Sequence, residues 1–339
     1  ALQIPALKAH NIHIRPAWAV HSRAFRQIIY LMAPMIIGLT VTQINTLADD
    51  VIAWVFSASE DKGRFFMLFA RQIEYPLQRG SVSYLNVAQR LYQMPLGVFG
   101  IALATAVFPQ MSTEAARKNY NALAATISRG IKAAVFVALP ATLGLIYVGR
   151  PLVAAAFEHG EFTQTDTAAT AFTLWFYAAG LTAYFIQQIS VRAYYSMNDS
   201  RTPVKSALIA VAVNIVLNLT LIWPLGTAGL ACSTAICSFL QVIILVNGLR
   251  HRIEKPILKS LPLSLAKTLA ATAVMTILAI SILTLMSSLP KTFAYDLARL
   301  AATVPASAGI YALTSKILKN EMLMLKNKKK KVEKIVSEQ

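Results

Sequence analysis

Residues 81–109 read SVSYLNVAQRLYQMPLGVFGIALATAVFP, and this stretch decides the fold. It is a long apolar segment in which Arg90 is the sole charged residue. An arginine at the centre of a bilayer costs roughly 3 kcal/mol or more, so such a side chain normally faces a polar cavity or an anionic partner. We therefore expect Arg90 to face a polar cavity that the other helices build.

The composition of the whole chain indicates a membrane protein. Of its 339 residues, 56% are hydrophobic and 14% are charged, and the mean hydropathy is +0.54. Soluble domains usually carry about 25% charged residues. Backbone groups in lipid must be satisfied within the spanning segment, which requires helices. The sequence therefore predicts an all-α polytopic membrane protein with eight transmembrane helices, approximately at 28–56, 84–109, 133–148, 168–195, 204–223, 225–248, 261–287 and 293–318.

The charges are distributed unevenly over the connections between these segments. The formal net charge is +17, and all of it lies in the two termini and in every second connection, whereas the alternate connections together are neutral. By the positive-inside rule, this pattern puts both termini of the chain in the cytoplasm. The dispersal over short loops without interleaved aromatic residues argues against nucleic-acid binding. The lysine-rich tail is most simply a solvated anchor for anionic lipid heads.

Several polar residues fall inside the predicted spans. Asp49 and Asp50 point about 100° apart on a helix, and either both lie at the outer interface or Asp49 faces the interior as a cation or proton site. Asn214 and Asn218 share a helix face, and Thr234 lies in the next span, beyond a tight turn. These amides and hydroxyls either hold helices together or, with Asp49, coordinate a hard cation such as Na⁺.

Three further features bear on function. Residues 59–81 combine charges with an apolar cluster and are either an amphipathic helix on the outer face or an insertion. No nucleophile motif, zinc-protease motif or phosphate-binding loop occurs in the sequence, so an enzyme is not expected. Cys232 and Cys237 are interpreted as small buried hydrophobic residues. The chain begins at Ala1, which suggests a piece of a longer protein.

Four blocks of sequence together resemble one family. They are APMIIGLTVTQINTLADDVIA at 33–53, the stretch 81–112 around Arg90, RAYYSMNDSRTPVK at 192–205 and NIVLNLTLIWPLGTAGLACSTAI at 214–236. Their content and order resemble the MurJ/MviN family of lipid II flippases, part of the superfamily of multidrug, oligosaccharidyl-lipid and polysaccharide exporters. The similarity covers most of residues 20–250.

The resemblance implies a fourteen-helix protein of two six-helix lobes and two extra C-terminal helices, of which this chain matches the last eight. Its segments are then a cytoplasmic basic segment (1–26), the second six-helix lobe (27–250), two additional C-terminal transmembrane helices (251–318) and a basic cytoplasmic tail (319–339). The last two helices resemble a pair that forms a groove for the polyprenyl tail. The N-terminal six-helix lobe is a missing partner.

The resemblance also implies site residues. Arg90 stands where the family has a second-lobe arginine proposed to hold the diphosphate of lipid II, and Ser83 and Gln93 occupy neighbouring cavity positions. Gln89 replaces the Asp that usually precedes this arginine. The residues that resemble the sodium site of the family are Asp49, Asn214, Asn218 and Thr234, with Asn218 in place of an acid found in some members.

By this resemblance, the chain is part of a flippase that moves undecaprenyl-diphosphate-linked peptidoglycan precursor (lipid II) from the inner to the outer leaflet of the bacterial inner membrane by alternating access. Lipid II and membrane lipids are its expected partners, and Na⁺ as a coupling ion is the one cofactor implied. Two alternatives stay open. One is a cation-coupled exporter of drugs or other lipid-linked oligosaccharides, and the other is a non-transporting remnant or scaffold.

Overall fold

A computed structural model describes residues 22–59, 63–68, 71–257, 261–290 and 292–322. The helices in this part of the chain are α1 (Arg23–Val55), α2 (Ser81–Ala116), α3 (Tyr120–Phe157), α4 (Gln164–Ser196), α5 (Arg201–Leu225), α6 (Thr227–Ile253), α7 (Leu261–Leu285) and α8 (Phe293–Ile317). Six of them, α2 to α7, are long and apolar enough to cross a membrane. The predicted all-α membrane fold of eight helices is confirmed, and a membrane crossing by α1 and α8 stays a prediction. Of the basic segments predicted at 1–26 and 319–339, residues 1–21 and 323–339 lie outside the described residues.

The connection between α1 and α2 contains a β-hairpin. Strand β1 (Phe65–Leu68) pairs antiparallel with strand β2 (Arg71–Glu74). Phe65 and Met67 are exposed, whereas Phe66 between them packs against aromatic rings at the ends of α1 and α5. This alternation has the period of two that a strand requires, not the 3.6 of a helix. The interpretation of this connection as an amphipathic helix is therefore wrong for the described residues.

Helix α2 is continuous but changes its geometry in the middle. It is α-helical over Ser81–Pro95, π-helical over Leu96–Ile101 and α-helical again over Ala102–Ala116. Pro95 has no backbone N–H to donate and its ring crowds the preceding turn. A wider π turn accommodates such a break and often lies at functional sites. The helix that carries Arg90 therefore has a built-in irregular turn less than two turns beyond that residue.

Helix α4 forms the centre of the bundle. Its side chains Tyr177, Leu181 and Phe185 recur every fourth residue and are fully buried. Gly180 lets α6 approach closely, because an added Cβ would lie 3.0 Å from the Cα of Ala235. Small residues at such crossings are typical of helix packing in membranes.

The tight turn predicted at residues 224–226 joins α5 to α6. Gly226 has a φ of 58° and a ψ of −134°, a conformation that favours glycine. Gly229 packs against the backbone of α5, since an added Cβ would lie 2.2 Å from the carbonyl oxygen of Leu221. The two helices therefore return side by side, and their polar faces meet.

Helices α7 and α8 pack on the outside of α3. The hydroxyl of Tyr311 in α8 donates to the carbonyl of Phe136 in α3 at 2.6 Å. Ala271 and Met275 of α7 join Tyr311 in a small apolar cluster that is separate from the main core. The last two helices thus pack against α3 through a small cluster of their own, and both their status as additions to a six-helix lobe and a lipid-tail groove formed by them stay predictions.

The connection between α4 and α5, residues 197–200, is organised by Asp199. Its carboxylate accepts from the N–H groups of Arg201 and Thr202, both at 3.0 Å, and from the Thr202 hydroxyl at 2.8 Å. Arg252 at the end of α6 donates to the same carboxylate. Partial burial raises the pKa of Asp199, but the Thr202 hydrogen bonds and the Arg252 guanidinium outweigh it, so the pKa is lowered overall. Asp199 therefore ties the start of α5 to the end of α6.

Candidate functional site

The four residues that the sequence suggests for a cation site meet in the interior of the bundle. Asp49 comes from α1, Asn214 and Asn218 from α5, and Thr234 from α6. Their exposed fractions are 2%, 1%, 0% and 8% in that order. The i, i+4 spacing puts both amides on one face of α5, and the tight turn brings α6 against that face.

Neutral donors hold the carboxylate of Asp49. Asn218 Nδ2 donates to Asp49 Oδ1 at 2.5 Å, and Thr234 Oγ1 donates to Asp49 Oδ2 at 3.3 Å. Among the described residues, no Lys, Arg or His side chain forms a salt bridge with it. A buried carboxylate without a positive partner is costly. A bound cation would supply the charge that the site lacks.

A second set of hydrogen bonds surrounds these contacts. Ser233 Oγ donates to Asn218 Oδ1. The Asn214 amide is satisfied when its Nδ2 donates to Asn45 Oδ1 at 3.2 Å and its Oδ1 accepts from the Thr234 backbone N–H at 3.2 Å. The Asn214 side chain therefore links α5 to both α1 and α6.

The neighbouring carboxylate points elsewhere. Asp50 is half-buried, and its Oδ1 accepts from Asn86 Nδ2 of α2 at a long 3.4 Å. Of the two alternatives for this pair, the structure favours the one in which Asp49 faces the bundle interior, and its role as a cation or proton site stays a prediction.

We refer to Asp49, Asn214, Asn218 and Thr234 as the Asp49 cluster. A cavity of about 120 Å³ lies beside it and is lined in part by Asn214 and Thr234. The amide side chains that line it are Asn45, Gln89, Gln93, Gln187, Asn214 and Gln241. Tyr92 and Tyr184 form part of its wall and stack with their ring centroids 5.4 Å apart. A cavity of this size has room for a few water molecules. The Asp49 cluster therefore borders a small cavity that is lined by polar, uncharged side chains.

Two of the cavity residues were not anticipated from the sequence. Gln187 of α4 donates to Gln241 of α6 at 3.0 Å, and Gln241 in turn donates to Ser206 of α5 at 3.4 Å. Both glutamines stand within otherwise apolar segments, where a polar side chain normally faces a cavity or a polar partner. That rule, applied to amides as well as to charges, would have found them.

Ser83, Arg90 and Gln93 lie on one side of α2, and all three are exposed. The opposite side of α2, with Leu85 and Ala88, packs into the core. Contrary to the expected enclosing cavity, the described helices leave Arg90 uncovered and without an ion pair, because none of them packs on this side of α2. Gln93 also lines the cavity beside Asp49. The binding role of the three residues stays a prediction.

The model of one protein family, described as lipid II flippase MurJ, matches residues 1–304. The probable lipid II flippase MurJ of Vibrio cholerae serotype O1 is 34% identical over 247 residues, which are 73% of this chain and 43% of that protein. The corresponding protein of Haemophilus influenzae is 31% identical over 253 residues, 73% of this chain and 45% of that protein. The chain thus spans less than half the length of these relatives.

Solved structures share the fold. A lipid II flippase MurJ in an inward closed conformation matches with a TM-score of 0.65 and 23% identity, over 95% of this chain and 60% of that chain. An outward-facing multidrug resistance transporter of the MATE family matches with a TM-score of 0.51 and 14% identity, over 86% of this chain and 62% of that chain. Because the family model matches residues 1–304 of its 339 residues, the chain belongs to the lipid II flippase MurJ family.

Proposed function

We propose that this chain provides one lobe of a flippase that moves undecaprenyl-diphosphate-linked peptidoglycan precursor from the inner to the outer leaflet of the bacterial inner membrane. Family membership and the names of the relatives support the substrate. The observation that carries the proposal is the uncovered guanidinium of Arg90 in an apolar helix. A cation in that position is stabilised when it binds an anion.

Arg90 binds the diphosphate in this proposal. It lies nine residues after Ser81, roughly 14 Å along the axis of α2, within a hydrocarbon layer about 30 Å thick. A guanidinium is always charged and presents planar donors that match phosphate oxygens. Ser83 and Gln93 add a hydroxyl and an amide on the same side for the polar parts of the head group.

An N-terminal six-helix lobe covers this side of α2 in the proposal. The solved flippase extends well beyond the part that this chain matches, which supports such a partner. Rocking of the two lobes then opens the Arg90 side alternately to either leaflet. The π turn at Leu96–Ile101 gives α2 a place to bend. A polar passage between lobes spares the charged head group its transfer into hydrocarbon.

The Asp49 cluster holds Na⁺ as the coupling ion in this proposal. One carboxylate and neutral amide and hydroxyl oxygens suit a hard monovalent cation, because they offer oxygen ligands and a single negative charge. When bound, the ion supplies the positive charge that the buried carboxylate lacks. The chain's own contribution is the link from Asp49 on α1 to Asn218 on α5 and Thr234 on α6.

The proposed orientation places both termini of the chain in the cytoplasm. The two termini and the connections on their side carry the entire net charge of +17. Positive charge of this kind is retained on the cytoplasmic side of a membrane. The Arg90 side of α2 then meets lipid II as it arrives from the cytoplasmic leaflet.

The test is an assay of lipid II accessibility at the outer leaflet in bacteria depleted of their own flippase. The chain is expressed together with the N-terminal lobe of the Vibrio cholerae relative, with Arg90→Ala compared to the wild type. We expect the variant to insert normally and to lose flipping. Arg150→Ala, at an exposed arginine of α3, is the matched control and retains it. Unimpaired flipping by Arg90→Ala would reject the assigned role.

The same assay decides between the proposal and its rivals. Extrusion of a cationic drug without any flipping of lipid II would favour an exporter. Membrane insertion without either activity, in the presence of the added lobe, would favour a scaffold. Flipping by the chain in the absence of the added lobe would contradict the two-lobe arrangement.

A further inference from the structure

A second cavity lies where α3 begins and α6 connects to α7. Its volume of about 420 Å³ falls within the roughly 300–1,000 Å³ typical of ligand pockets. One wall consists of the first turns of α3, between Asn121 and Lys132, and the other of Lys255 and Pro256. None of these residues belongs to the Asp49 cluster or to the Arg90 side of α2, so the cavity is independent of the proposed transport function.

Three cations line this cavity. Lys132 is buried, with an exposed fraction of 6%, and its Nζ lies 2.8 Å from Glu321 Oε2 just beyond α8. The Glu321 side chain is itself half exposed. Arg129 and Lys255 are exposed and form no ion pair with any residue in the described part of the chain. The lining therefore has more positive than negative charge.

One acidic residue, Glu114, is linked to Arg129 through Thr126 and does not line the cavity. Thr126 Oγ1 donates to Glu114 Oε1 at 3.0 Å and accepts from Arg129 Nη2 at 3.1 Å. Thr126 is 2% exposed and lies behind the lining. Arg129 Nε also donates to the Ala125 carbonyl at 3.4 Å, so Nη1 is the nitrogen of this guanidinium that stays available for a ligand. Glu254, which precedes Lys255, is exposed and does not line the cavity.

The walls between the cations suit a compact anionic group. Ala124, Ala125 and Ser128 form the floor along α3, and their small side chains leave the space open. One wall is the beginning of α3 and the other directly follows the end of α6, and both helices are long and apolar enough to cross a membrane. Both walls lie on the side that carries the excess of basic residues. The phosphates of lipid head groups lie at such a boundary.

We propose that this cavity binds a phosphate-bearing anion, supplied by the head group of an anionic phospholipid of the surrounding bilayer. Arg129 and Lys255 bind the phosphate at the open side, and Lys132 binds it from the inside while keeping Glu321. Arg129 and Lys132 belong to α3 and Lys255 to the α6–α7 connection, and Lys132 also contacts Glu321 just beyond α8. The bound head group therefore fastens the two added helices to the six-helix bundle.

The experiment measures the thermal midpoint of the purified chain in detergent while phosphatidylglycerol is added, with phosphatidylcholine as the neutral-lipid comparison. The double variant Arg129→Gln/Lys255→Gln is compared with Arg117→Gln/Arg250→Gln, which removes two exposed charges that do not line the cavity. We expect phosphatidylglycerol to stabilise the wild type and the control equally. The cavity variant should need about thirty-fold more lipid, since each cation near an anionic surface is worth about a five-fold change in affinity.

Inorganic phosphate is tested separately to identify the source of the anion. Stabilisation by phosphate alone points to a soluble ligand of the same chemistry, and stabilisation by the lipid alone points to a head group. Lys255→Gln by itself, at an exposed position of a connection, should weaken the lipid effect about five-fold and serves if the double variant does not fold. Equal lipid responses of the wild type and the cavity variants, or an equal effect of phosphatidylcholine, would overturn the proposal.

Discussion

Asp49→Asn tests the cation site with almost no change in shape. An asparagine at this position can still accept from Asn218 with its oxygen and can donate to Thr234 with its nitrogen. The substitution therefore keeps both hydrogen bonds of the wild-type carboxylate. What it removes is the negative charge, which no described basic residue balances.

The size of the effect follows from these contacts. Taking the charge out of the buried site relieves a desolvation penalty of about several kcal/mol. Replacing two charge-assisted hydrogen bonds by neutral ones costs about 1 kcal/mol each. Without sodium, we expect the variant to be more stable than the wild type by roughly 1–3 kcal/mol. At a sodium concentration ten times the Kd, the wild type gains about 1.4 kcal/mol and the variant gains nothing.

Thermal unfolding in detergent measures both effects. Sodium chloride is exchanged for choline chloride at constant ionic strength, so that general screening does not change. The expected gain corresponds to a rise of roughly 3–6 °C in the Tm of the wild type. Asp50→Asn is the matched control, because Asp50 is a half-buried neighbour with one long hydrogen bond, and it should keep the sodium response. A sodium-dependent rise in Asp49→Asn, or its loss in Asp50→Asn, would refute the reasoning.

Two further predictions concern the helix connections. Gly229→Ala would place a Cβ 2.2 Å from the Leu221 carbonyl oxygen, and this overpacking should lower the free energy of unfolding by about 3 kcal/mol or more. The loss of folded protein is measured by gel filtration, and Gly144→Ala, where an added Cβ has nothing within 4 Å, should be neutral. An equal yield of the two variants would contradict the close packing of α5 and α6. Asp199 has a lowered pKa in the folded protein, so its stabilising contribution is present above about pH 4 and is lost as the pH falls through the folded value. The Tm of Asp199→Asn should therefore be lower than that of the wild type at pH 7 and should approach it at pH 3; a constant difference between the two across this range would contradict the contacts of Asp199 with Thr202.

The number and order of the helices could be read from the sequence because lipid leaves few alternatives. A segment of about 20 apolar residues must satisfy its backbone internally, and Gly226 marks the one sharp turn between α5 and α6. The predicted ends of the helices were less accurate than their number and order. α3 begins at Tyr120, well before the apolar run that started the prediction at 133, since its first turns carry polar residues on the exposed side. Hydropathy does not detect such extensions.

The Asp49 cluster was predictable for a similar reason. Asn214 and Asn218 share a face by spacing alone, and a short turn returns α6 to that face, so proximity followed from local rules. That no described helix covers Arg90 could not be foreseen from local rules, because covering a helix face depends on packing between segments. The basic cavity was missed for the same reason. Lys132 and Glu321 are 189 residues apart in sequence, and nothing in either segment indicates the other.

The hairpin between α1 and α2 shows how a short pattern is misread. Phe65, Phe66 and Met67 form an apolar run that is too short to separate a period of two from one of 3.6. The structure shows the period of two, because Phe66 packs on aromatic rings at the helix ends while Phe65 and Met67 on either side are exposed.

The most direct test of the account is a photocrosslink from the uncovered side of α2 to the substrate. Benzoylphenylalanine is placed at Gln93, three residues from Arg90, in the chain assembled with an N-terminal lobe and supplied with lipid II. Ile277, an exposed residue of α7, is the control position. The account predicts a crosslink to lipid II from residue 93 that disappears with Arg90→Ala, and little from residue 277. Equal crosslinking from both positions, or crosslinking from residue 93 that does not depend on Arg90, would contradict a diphosphate site on this helix.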